Sequence, residues 1–252
     1  MSFVSTQKEG AVAVMTIDRP QALNALNQEV LMELREHFLR CDDVKVVILT
    51  GAGPKSFVAG ADIAQMSEFN TLQARAFVEL GQGVIRLIEE SPFVTIAAVN
   101  GFALGGGLEL AMACDLIYAS DNARLGLPET NLGIIPGFGG TVNLSQRIGG
   151  HKALEMILLG NPVNAAEART LGLVLDVFPQ AELMTKVKEV AQKIAKKGTF
   201  SCLAARRLVR GLEMSDRERS FLLERETFAS LFATSEPKEG MKAFLEKREP
   251  KF

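Results

Sequence analysis

Three short runs, KVVILTG (45–51), VTIAAV (94–99) and ACDLIYAS (113–120), constrain this chain more than any other feature. The first is apolar on both of its faces, and the other two follow the same habit. Strands of that kind belong to parallel sheets covered on each side by helices. The segments between them fit. Asn27 can cap a helix to about Arg40 with Val30, Leu31, Leu34 and Phe38 on one face, and a second helix spans about 71–90, stopped by Ser91-Pro92. Further strands are expected at 11–17 and 173–178, and further helices at 138–148, 151–159 and 165–171, with AGPKSFVAGADI (52–63) as a loop. From about residue 181 no strand is expected; four amphipathic stretches follow, one of them opened by a Ser215/Glu218 capping box. The fold class is therefore α/β, built of strand–helix units and closed by a helical module.

Composition removes several functions. Lys plus Arg total 28 and Asp plus Glu 30, a net charge of −2, so no basic excess draws nucleic acid or an anionic membrane. Three dispersed cysteines without a C-x-x-C pair, and two histidines, suggest neither a disulfide framework nor a metal centre. With no leader-like start and no transmembrane-length run, a cytoplasmic protein is expected. GAGPKS (51–56) lacks the glycine that a phosphate loop needs before its lysine, and no G-x-G-x-x-G occurs.

Three glycine-rich stretches carry the chemistry. In AAVNGFALGGGLELAMACDL (97–116), a helix expected from about Gly106 is apolar all round except for Glu109 in its first turn. Glu109 has almost nothing polar beside it in sequence, and a buried, unpaired carboxylate is costly. A carboxylate there can simply complement the helix dipole; burial beside three glycines favours a function instead, because glycines admit a ligand and helix-start N–H groups bind developing negative charge. In ARLGLPETNLGIIPGFGGT (123–141), Glu129 taken alone reads as a solvated loop carboxylate. Taken with Glu109 it suggests a pair of acids in a dry pocket, suited to acid–base work. The third stretch, KSFVAGADI (55–63), reads alone as an ordinary β-to-α turn.

Together FVAGADI, IAAVNGFALGGGLELAMACDL and LPETNLGIIPGFGGT, flanked by TIDRPQALNALN and AFLEKREPKF, resemble the crotonase superfamily, and most closely the enoyl-CoA hydratases. The resemblance runs over the whole chain. It implies a crotonase-like spiral of β-β-α units over residues 1–195 and a C-terminal helical trimerisation region over 196–252, with trimers commonly pairing into hexamers. It implies that the N–H groups of Ala61 and Gly106 form an oxyanion hole for an acyl-CoA thioester. Glu109 would activate water for C3 and Glu129 would deliver a proton to C2, with the division shared or reversed in a coupled pair. Ala22, Leu23, Gly60, Asp62, Ile63, Ala64 and Gly105 would contact substrate, and neither metal nor prosthetic group would be needed. The chain departs from many hydratases at Leu127, where they carry glutamine, and at Gln21 and Ala64, where lysines help hold CoA.

Other readings remain open at this point. A Δ3,Δ2-enoyl-CoA isomerase often keeps only the later carboxylate, which argues for hydration here. Carnitinyl-CoA dehydratases and methylglutaconyl-CoA hydratases carry the same pair. A non-catalytic oligomeric binding protein would not need both acids and both glycine loops. The apolar residues Phe221, Leu222, Phe228, Leu231 and Phe232 are expected to serve assembly, as more than a monomer would leave in water.

Overall fold

The computed structural model describes residues 2–41, 43–211 and 214–248; the side chains of Ser215 and Glu218 and residues 249–252 of the closing motif lie outside the described residues. The chain opens with an antiparallel pair, β1 (Val4–Glu9) and β2 (Val12–Ile17). Asn27 then caps α1 (Gln28–Leu39), accepting from Val30 N at 2.8 Å. Next come β3 (Val46–Gly51), β4 (Ser56–Val58), α2 (Ile63–Met66) and α3 (Thr71–Glu89). They are followed by β5 (Val94–Val99), β6 (Phe102–Leu104), α4 (Gly106–Ala113), β7 (Leu116–Ser120) and β8 (Arg124–Gly126). After them lie α5 (Gly140–Ile148), α6 (Gly150–Leu159), β9 (Val163–Asn164), α7 (Ala165–Thr170) and β10 (Asp176–Phe178). Among the described residues four helices follow: α8 (Leu183–Ala195), α9 (Thr199–Gly211), α10 (Met214–Leu231) and α11 (Glu236–Leu245).

The strands form two sheets, one ordered β1-β2-β3-β5-β7-β10 and a smaller one ordered β4-β6-β8-β9. The chain visits both in each turn. A long strand of the first sheet leads to a short strand of the second and then to helix: β3–β4–α2/α3, β5–β6–α4, β7–β8–α5. This is the expected spiral of β-β-α units, with parallel pairing between successive turns in each sheet. The segment 52–63 is thus not simply a loop, since it contains β4, all three residues of which are buried. Three-residue strands are too short to show a periodicity, so β4, β6 and β8 leave no signal in sequence. Two expected strands are shorter than read. Residue 113 is still in α4, so β7 begins only at Leu116. Leu173 N and Val174 N both donate to Ala168 O behind α7, leaving β10 to start at Asp176.

The six buried residues of β3 face two cores. Val47 and Leu49 join α1 and α3, whereas Val46 and Ile48 meet Leu183, Val187 and Ala191 of α8. This accounts for a strand that is apolar on both faces. Between β4 and α4 the approach is closer still: a Cβ on Gly107 would lie 2.0 Å from Val58 O. Gly107→Ala must push the two elements apart, and is expected to cost roughly 1–3 kcal/mol or more as overpacking; an unchanged melting temperature would contradict this.

The C-terminal helices are fastened to the spiral. Arg206 of α9 donates to Phe93 O at 2.7 Å and to Ser91 O, and Arg210 donates to Ala113 O at 2.9 Å. Both guanidiniums also face Asp115, at 3.5 and 2.9 Å. Of the five apolar residues expected to serve assembly, Phe221, Phe228 and Phe232 are buried within the chain itself, and Leu222 is exposed. Their burial against α3 and the neighbouring loop corrects the premise that a monomer would leave them all in water. Among the described residues no helix is long and apolar enough to cross a membrane.

Candidate active site

Each functional group is placed by a local feature of the sequence. Asn24, fully buried and at φ 60°, pins the segment before α1: its Nδ2 donates to Ala52 O at 3.0 Å and to Ser56 O at 2.8 Å. Asparagine is among the few side chains that tolerate this left-handed backbone. The pinned segment makes a parallel bridge to the stretch after β4, in which Leu26 N donates to Gly60 O and Asp62 N donates to Leu26 O, both at 2.8 Å. In such a bridge the residue between 60 and 62 turns its own N–H away from the partner strand. The N–H of Ala61 is therefore directed elsewhere, beside a cavity of about 410 Å³ that Ala61 lines.

A second amide comes from the start of α4. Gly105 sits at φ 51°, ψ −127°, and its N donates to Gly126 O at 2.9 Å. Gly106 is the first residue of the helix, where a backbone N–H has no intrahelical acceptor. A Cβ on Gly105 would lie 2.8 Å from Glu129 Oε1, so only glycine lets that carboxylate settle against the turn.

All eight residues of α4 are buried, and Glu109 is 1% exposed. The sequence shows nothing polar for it because its partners are backbone. Glu109 Oε1 accepts from Phe138 N at 2.8 Å and from Gly140 N at 2.7 Å. This corrects the view of an unpaired charge. Glu109 lies in the first turn of its own helix and at the start of α5, so two positive helix ends face one carboxylate. α5 begins at Gly140 rather than at residue 138 because Gly139 sits at φ 106°, outside the right-handed helical region. Glu129 opens a short 3-10 helix, Glu129–Leu132, and is 8% exposed, so it is not the solvated loop carboxylate that its segment suggests in isolation.

The cavity brings Glu109, Glu129, Ala61 and Gly106 together, with Gly60, Gly105, Leu23 and Ile63 also on its wall. Ala22, Asp62 and Ala64 do not line it. Asp62 instead caps α2, accepting from Gln65 N at 3.2 Å, and pairs with Arg19 at 2.8 Å. The rest of the wall is apolar and includes Phe77, Phe138, Phe228 and Phe244. Phe228 and Phe244 come from α10 and α11; their sequence signal, an apolar helix face, gives no hint of which surface it covers. At the far end of α4, burial pushes the Cys114 thiol up to about 12, which keeps it protonated and unreactive.

Two carboxylates, the outward-turned amide of Ala61 and the helix-start amide of Gly106 on one apolar cavity suit a reaction in which charge develops on a carbonyl oxygen while protons move nearby. The family model for enoyl-CoA hydratase/isomerase matches residues 7–252. The chain belongs to the enoyl-CoA hydratase/isomerase family. It is 45% identical over 249 residues to a crotonyl-CoA hydratase of Syntrophomonas wolfei subsp. wolfei, covering 98% of this chain and 96% of that protein. It is 46% identical over 251 residues to a short-chain-enoyl-CoA hydratase of Clostridium acetobutylicum, covering 98% and 96% respectively. The crystal structure of an enoyl-CoA hydratase from Bacillus anthracis matches with a TM-score of 0.81 at 36% identity, over 99% of this chain and 98% of that one. Leu127 is fully buried and reaches to Gly140, placing an apolar side chain beneath the Glu109 anchor.

Proposed function

We propose that this member of the enoyl-CoA hydratase/isomerase family adds water across the 2,3 double bond of a 2-enoyl-CoA to give a 3-hydroxyacyl-CoA. The observation that carries the reading is the burial of Glu109 and Glu129 in one cavity with the Ala61 and Gly106 amides. The thioester oxygen accepts from those two amides, which stabilise the enolate as negative charge reaches the oxygen. Glu109, with Oε1 anchored by two N–H donors, keeps a fixed carboxylate to orient water and take its proton as the hydroxyl adds to C3. Glu129, on the other side of the Gly105 turn, supplies the proton to C2. The proton taken from water restores the pair, so water adds without net proton change. Acids and amides suffice for this chemistry, and no metal or prosthetic group is required.

Crotonyl-CoA is expected to become 3-hydroxybutyryl-CoA with solvent oxygen at C3, at a rate that a chelator does not change. Loss of the enoyl thioester absorbance on mixing measures it. Rapid isomerisation of 3-enoyl-CoA with no hydration of crotonyl-CoA or longer 2-enoyl-CoA would replace this reading by the isomerase one.

Assembly as a homotrimer or homohexamer belongs to the same proposal. Leu222, Val209, Leu154 and Leu158 are all at least half exposed and would be covered between copies. Light scattering at micromolar concentration should give a multiple of three chains, and a monomeric mass would refute it. A place in the cytoplasm and in fatty-acid β-oxidation or a related acyl-CoA pathway completes the proposal, supported by the substrate class.

A further inference from the structure

Gln82 lies on α3 with its side chain buried, and none of the chemistry above uses it. Its Nε2 donates twice, to Gly137 O at 3.0 Å and to Phe221 O at 3.2 Å. The acceptors belong to two different parts of the site. Gly137 immediately precedes Phe138, whose N–H, together with that of Gly140, holds Glu109 Oε1. Phe221 is on α10, the helix that brings Phe228 to the cavity wall. The surroundings leave little room for adjustment. A Cβ on Gly81 would lie 2.2 Å from the Phe138 ring, and one on Gly139 would lie 2.3 Å from the Phe221 ring. Loop, α3 and α10 therefore meet at van der Waals contact, with one side-chain amide bonded to both of the other two.

We infer that Gln82 is a positioning residue for hydration: it fixes the loop at 137–140 that aims Glu109, and ties that aim to the seating of α10. This rests on the hydratase reading. A buried amide that only filled space would affect stability and leave the turnover of folded protein alone. One that sets the Phe138 and Gly140 amides would act on kcat through Glu109.

Gln82→Met keeps the length of the side chain and removes both donors. It is expected to lower kcat for crotonyl-CoA by about 10- to 100-fold, the scale of a misplaced catalytic group. KM should change little, because the thioester is held by Ala61 and Gly106. The loss should largely vanish when the substitution is made in a Glu109→Gln background, since two changes acting through one group are not additive. An unaltered kcat in folded Gln82→Met, or the same fold-loss with and without Glu109, overturns the inference. Gln82→Glu gives a second readout inside a single folded protein. Its neutral carboxyl keeps one donor at low pH; once charged it can only accept, facing the Gly137 carbonyl. Its kcat should fall with rising pH relative to wild type while circular dichroism stays constant, and a profile parallel to wild type overturns the inference even where Gln82→Met fails to fold. A wild-type chain that does not hydrate crotonyl-CoA removes the hydratase reading and this inference together; a hydrating wild type with insensitive Gln82 variants removes this inference alone.

Discussion

Glu109→Gln and Glu129→Gln are each expected to lower kcat for crotonyl-CoA hydration by about 10²–10⁴-fold, the usual worth of a general acid or base. The geometry makes this a clean test. A glutamine at 109 keeps an Oε1 that can still accept from Phe138 N and Gly140 N, so the link between α4 and α5 survives. What disappears is the charge and the oxygen able to take a proton from water. At 129 the amide has the same shape as the carboxyl group that rests against Gly105, and the turn is not disturbed. Acyl-CoA binding should change little, because the proposed mechanism holds the thioester oxygen by backbone. The double variant should lose much less than the product of the two losses, since the proposed mechanism has both acids serve one water molecule. Near wild-type hydration by either single variant would sink the assignment.

The largest effect on stability is expected at Asp115. Its Oδ2 accepts from Thr95 N at 2.8 Å and Thr95 Oγ1 at 3.1 Å, while Arg206 lies at 3.5 Å. Its Oδ1 lies 2.9 Å from Arg210, an ionic contact and not an aligned hydrogen bond. Asp115→Ala leaves two guanidiniums and one N–H in a site that is 10% exposed at Asp115 and Arg206. Breaking a buried pair from one side costs about 3–5 kcal/mol. The low end applies here, because Arg210 keeps Ala113 O and Arg206 keeps Phe93 O. Urea unfolding measures it. A loss no larger than the roughly 0.5 kcal/mol of an ordinary surface change would show that the cluster does not fasten α9 to the spiral.

Much of this architecture is legible in sequence, for reasons that particular residues make plain. β3 and β5 declare themselves because both faces are apolar, and α1 because Asn27 and the spacing of Val30, Leu31, Leu34 and Phe38 agree. Glu109 and Glu129 stand out as lone acids in apolar, glycine-rich runs, and both are buried on one cavity. The illegible parts share a cause. β4, β6 and β8 are three residues long, too short for a period, and their place is set by pairing with the next turn. The anchor of Glu109 is made of backbone N–H groups, which every non-proline residue has and no composition displays. Gln82, Arg206 and Arg210 look like ordinary polar residues on amphipathic helices, and only their partners elsewhere in the chain give them a role. Phe221, Phe228 and Phe232 show that an apolar helix face does not announce whether it will meet its own chain or another copy.

The origin of the cavity wall has a consequence for how such a protein can diverge. The acids and amides stand on successive turns of the spiral, whereas Phe228 and Phe244 arrive from α10 and α11. The apolar wall is thus drawn from two stretches of the gene product, Phe77 and Phe138 from the spiral and Phe228 and Phe244 from beyond it. Drift at Phe244, which lies apart from the Gln82 link to Phe221, can reshape that wall while the acids and amides are inherited unchanged, so descendants of one ancestor can part company in diet without parting in chemistry.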